Sequence, residues 1–184
     1  MAESFLGINR LAPLSGLSPR ARTMSMSKDS QRFEHGVALP GLADTEALGA
    51  RIAASLKVGD AVALQGDLGA GKTTLARAIL AALGVREEVP SPTFTLVQYY
   101  ETDRLIVRHY DLYRIENPSD VEELGLEEAL DDGAVLIEWP ERALAWLPAD
   151  RLHVSLSLSK DGRRADISGP LRWRPTFAEP RDVA

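Results

Sequence analysis

The chain has 184 residues, a formal net charge of −6, 45% hydrophobic and 26% charged residues, and no cysteine. That length suits one domain with a sizeable core, and no apolar run nears the roughly 18 residues of a membrane span. The acidic balance argues against unaided nucleic-acid binding, which draws most of its affinity from Lys and Arg. The missing thiols exclude disulfides, thiolate metal sites and cysteine nucleophiles, and fit a reducing cytoplasm.

Residues 1–32 are rich in Ser, Pro and Arg and show no sustained period. They lack the apolar centre of a secretory signal. Their shortage of acids resembles a transit peptide, whereas Met24 and Met26 offer a later start, so this leader is placed outside the fold. FEHGVAL (33–39) reads as a short strand ended by Pro40. Asp44 is a candidate cap for a helix on which Leu48, Ile52 and Leu56 recur. AVALQ (61–65) is apolar on both faces, as in a central strand. GDLGAGKTT (66–74) then leads into a helix that packs through Leu75, Ile79, Leu80 and Leu83.

Two extended runs follow, TFTLVQYY (93–100) and RLIVRHYDLYR (104–114). Only E-T-D separates them, so they form an antiparallel hairpin. Ser119 and Glu122 have the spacing of a capping box for a helix split near Gly125. AVLIEW (134–139) is a second buried strand. LHVSLSLS (152–159) alternates strictly, and the Asp161–Gly162 turn returns a partner strand through Ala165 and Ile167. The fold class is therefore α/β, a three-layer P-loop NTPase-type domain over 33–170 with antiparallel strands inserted in a mixed sheet. The tail 171–184 carries no clear period.

The glycine loop is the strongest chemical signal. Its glycines let the backbone of Asp67, Leu68, Gly69, Ala70 and Gly71 turn N–H groups inward, where a helix N-terminus and Lys72 favour a polyphosphate. Lys72 is placed to reach the β- and γ-phosphates, and the Thr73 hydroxyl to ligate Mg²⁺. Thr74 either contacts the α-phosphate or caps the turn. Asp111 sits near the end of an extended run and Glu138 ends the apolar run AVLIE, where a carboxylate serves a metal or an attacking water, or is simply a solvated strand end. His109 shares a strand face with Asp111 and is read as structural or hydrogen-bonding. Thr93 in S-P-T occupies a switch-like position after the loop helix. Trp139 is equally a pocket wall or core. The guanine-selecting N-K-x-D pattern is missing, which leaves ATP by elimination.

GDLGAGKTT, SPTFTLV, HYDLYR and LIEWPE, in that order, closely resemble the TsaE/YjeE family over approximately residues 33–168. The resemblance implies a small ATPase with weak turnover alone, using ATP and Mg²⁺ in the making of threonylcarbamoyladenosine in tRNA. It implies assembly with TsaD and TsaB, with tRNA engaged only through that complex. Carried over, Lys72 and Thr73 bind phosphate and Mg²⁺, Thr93 lies in a switch-like loop, Asp111 and Glu138 serve metal and water, and Trp139 lines the nucleotide site. A monomer is expected in isolation, and the cytoplasm is the expected compartment. Two other readings stand beside this one, a small-metabolite kinase and a nucleotide-gated binding module without turnover.

Overall fold

The computed structural model describes residues 32–178; the leader reading, apart from Arg32 at the start of the first strand, and the end of the tail fall outside them. Seven strands form one sheet: β1 (Arg32–Leu39), β2 (Ala61–Gln65), β3 (Val97–Glu101), β4 (Ile106–Asp111), β5 (Gly133–Glu138), β6 (Leu152–Ser159) and β7 (Gly162–Pro170). Their order is β1-β7-β6-β2-β5-β4-β3. β6, β2, β5 and β4 run parallel; β3 pairs antiparallel with β4 at one edge, and β7 and β1 extend the other edge antiparallel. The alternation in the sequence foretells this division. β2 and β5 are apolar up to their last residues, Gln65 and Glu138, and buried on both faces, whereas β6 alternates and buries one.

Helices cover both faces. On one side lie α1 (Leu42–Ser55), α2 (Lys72–Ala82) and the short α4 (Arg174–Phe177), joined in a core that includes Ile52, Leu75, Ile79, Val62 and Leu64. On the other, a 3₁₀ segment, Pro118–Leu124, and α3 (Leu126–Asp132) pack through Val121, Leu126 and Ala129 onto Tyr110, Val135 and Ile137. This is the three-layer mixed sheet expected from the sequence. At about 1.5–3 kcal/mol for each large side chain removed from water, these two layers supply the main drive for folding.

Four local readings need correction. The first helix starts at Leu42 with Gly41 as its cap residue; Asp44 sits inside the first turn and accepts the Gly41 N–H at 2.9 Å. The run from Thr93 is not strand at its beginning. Leu96 takes a left-handed φ of 63° and donates its N–H to the Pro92 carbonyl at 2.7 Å, so β3 starts only at Val97. The Ser119 capping box does not form: the segment is 3₁₀, without a side-chain cap, and Gly125 at φ 62° separates it from α3. Trp139 leaves the strand that the sequence extends through it, with φ 56°. The domain also continues beyond Pro170. Trp173 and Phe177 are buried in the core, Phe177 stacking on Phe33 at 5.5 Å between centroids, and Arg51 donates to the Thr176 carbonyl.

Candidate nucleotide site

The loop between β2 and α2 is shaped by glycines that no other residue replaces without strain. Gly71, immediately before α2, has φ 107°, and Gly66 has φ 143°. A Cβ on Gly66 would stand 2.3 Å from the carbonyl oxygen of Leu156. The backbone therefore passes against β6 and delivers α2's N-terminus, with its free N–H groups, to the carboxyl end of the parallel strands. That end of an open α/β sheet is the usual place for a ligand crevice.

The opposing wall comes from the ends of β4 and β5. Register places Asp111 directly beside Glu138. Neither is the solvated strand end that a lone acid suggests: Asp111 is 4% exposed and Glu138 2%. Buried charges require partners, and both have them. The Thr93 hydroxyl donates to Asp111 Oδ2 at 2.6 Å and Ser91 to the same oxygen at 3.3 Å; Asp111 Oδ1 accepts the Tyr113 N–H at 3.0 Å. The Thr73 hydroxyl donates to Glu138 Oε2 at 3.0 Å, and His109 Nε2 lies 2.9 Å from Oε1. His109 thus has the hydrogen-bonding role read from its strand face.

Lys72 links the walls. Its ammonium donates to the carbonyls of Gly66 at 2.7 Å and Asp67 at 2.9 Å, and lies 4.0 Å from the Trp139 ring centroid. Burial pushes its pKa below the ordinary lysine value, opposed by the charges of Glu138 and Asp111. Trp139 holds a backbone conformation that costs a bulky residue about 1–3 kcal/mol, and it packs on Tyr113 at 4.9 Å. Strain of this kind persists where neighbours fix it, here at the rim of the crevice.

A cavity of about 260 Å³ runs between the walls. It gathers Leu68, Gly69, Gly71, Lys72, Thr73, Thr74, Thr93, Asp111, Glu138 and Trp139 from the sequence reading. Asp67 and Ala70 do not line it: Ala70 is buried in the core, and Asp67 serves through its carbonyl. Ser91, Tyr113 and Arg163 line it without having been singled out. The first two sit inside the motifs S-P-T and D-L-Y-R, but Arg163 carries no local signal and arrives only because β7 begins beside Gly69 and Gly71. An adjoining cavity of about 240 Å³ lies beyond Gly71 and Thr74, walled by Leu39, Leu42, Thr45, Leu156 and Arg163. Among the described residues no group of three or more His, Cys, Asp or Glu is gathered to hold a metal. A divalent ion at Thr73 would therefore need oxygens from a bound polyphosphate, as suits Mg²⁺, which takes few protein carboxylates.

The family model described as threonylcarbamoyl adenosine biosynthesis protein TsaE matches residues 39–165, a span containing both walls and Arg163. The Rickettsia felis tRNA threonylcarbamoyladenosine biosynthesis protein TsaE is 42% identical over 122 residues, 66% of this chain and 71% of the relative. The Bacillus subtilis protein of that name is 39% identical over 122 residues, 66% and 76% of the two chains. The crystal structure of Bacillus subtilis YdiB superposes with a TM-score of 0.64 at 30% identity, covering 79% of this chain and 91% of that one. With the phosphate loop, the paired acids and the S-P-T turn all inside the matched span, the chain belongs to the TsaE family of threonylcarbamoyl adenosine biosynthesis proteins.

Proposed function

We propose that this protein binds and hydrolyses ATP with Mg²⁺ as an accessory to tRNA N6-threonylcarbamoyladenosine synthesis, acting on a TsaB–TsaD complex in the cytoplasm. The observation that carries this reading is the contact of the Thr73 hydroxyl with Glu138 across a complete phosphate loop. It brings a metal-binding hydroxyl and a buried carboxylate to one point. Loop N–H groups and Lys72 hold the polyphosphate; Lys72 exchanges its loop carbonyls for phosphate oxygens. Thr73, with Glu138 and Asp111, would hold a Mg²⁺ ion, which when bound would neutralise charge developing on the phosphates. Thr74 borders both this cavity and the adjoining one, where Leu39, Leu42, Leu156 and Arg163 would be available to the nucleoside. The chain's acidic balance supports a protein partner over direct tRNA contact.

The test is reconstitution of tRNA threonylcarbamoylation with TsaB, TsaD and the adenylate-forming enzyme. Multiple-turnover modification is expected to require this protein and ATP hydrolysis by it. Equal modification without it overturns the function.

A further inference from the structure

Glu138 accepts two hydrogen bonds, and only one donor belongs to the phosphate loop. Thr73 holds Oε2, while His109 approaches Oε1 at 2.9 Å. The His109 side chain is wholly buried, and it does not line the cavity. It therefore reaches the site only through the glutamate. Its Nδ1 is buried without a partner among the described residues. Of its two ring nitrogens it is Nε2 that faces the carboxylate, an acceptor, so the N–H there is donated to Glu138.

We propose that His109 is a positioning residue that locks the Glu138 carboxylate, keeping Oε2 turned to Thr73 and the cavity. A glutamate at a strand end has three side-chain torsions to fix, and the Thr73 hydroxyl alone leaves the carboxylate free to swing when that hydroxyl turns to a metal. A donor from the neighbouring strand, set by the pairing of β4 with β5, holds it throughout. Buried partners of this kind tune metal-binding carboxylates as they do metal-binding histidines. The inference rests on the nucleotide reading above.

The experiment compares the full-length wild type with His109→Leu, His109→Gln and His109→Asn. The readouts are ATP affinity with and without Mg²⁺, kcat and KM for ATP with TsaB and TsaD present, and thermal midpoints. Gln can place an amide N–H where Nε2 stands, whereas Asn is too short. The Leu and Asn variants are expected to lose about 10- to 100-fold in kcat and in the Mg²⁺-dependent part of ATP affinity, with KM rising in step and Mg²⁺-free affinity kept. Gln recovers most of the loss. Where Leu fails to fold, the Gln and Asn pair decides alone. Wild-type kcat and Mg²⁺ dependence in Leu or Asn, or equal impairment of Gln and Asn, overturns the inference. A wild type that binds no ATP overturns the proposed function and this inference together, before any variant is read.

Discussion

The phosphate loop and the acid wall face each other across one cavity but are built differently. Gly66–Thr74 is contiguous, and its shape follows from local glycine geometry and the start of α2. Thr93, Asp111 and Glu138 come from separate segments, aligned by the pairing of β4 with β5 and by the Thr93–Asp111 hydrogen bond. The loop is thus a local device, and the wall a long-range one that depends on sheet register. Damage to the first should cost affinity; damage to the second should cost turnover.

The largest expected effect tests the wall. Glu138→Gln should lower ATP turnover by about 100-fold or more while ATP stays bound, the size expected when an acid–base or metal-bound carboxylate is lost; steady-state hydrolysis and equilibrium binding measure the two. Next comes the loop. Lys72→Ala removes a charged donor worth about 1.5–3 kcal/mol, so ATP affinity should fall about 10- to 100-fold by calorimetry. Unchanged affinity would break the assignment of binding to the loop.

A smaller effect should follow from Gly133→Val, far from the cavity at the start of β5. Its Cβ would stand 2.6 Å from the Ile106 carbonyl oxygen. Relief must come from a shift of β4 against β5, with a stability loss of about 1–3 kcal/mol in denaturant titrations. Turnover should drop more than affinity, because register serves the acids and not the loop. The smallest effect is a pH dependence outside both walls. Burial, and secondarily Arg151 and Arg32, push the His153 pKa below its ordinary value. Its contribution to stability is therefore complete above about pH 6.5 and is lost as pH falls from there through the folded value. Replacing it by Gln, which keeps a polar group near Gln65, should flatten that dependence in unfolding curves taken across the range.

The strands with unambiguous alternation or continuous apolarity were legible residue by residue: β6 spans the expected Leu152–Ser159, and β2 the expected Ala61–Gln65. Legibility failed where a side chain or a positive φ overrode propensity. Thr93–Leu96 is rich in residues that favour strands, yet the Asp111 carboxylate captures Thr93 and Leu96 turns left-handed. The tail failed for a different reason. Trp173 and Phe177 lie on segments too short to show a period, and only the groove beside α1 and β1 gives them a core to enter.

By itself the sequence determined the glycine loop between β2 and α2, because its conformation is set by adjacent residues. It also determined the layered α/β class, because periodicity is a local property. Tertiary structure decided the rest of the site. It made Asp111 and Glu138 neighbours, seated His109 behind the glutamate and brought Arg163 to the loop. Each of those depends on which strands pair and in what register, a long-range choice made by burying both faces of the central sheet at once.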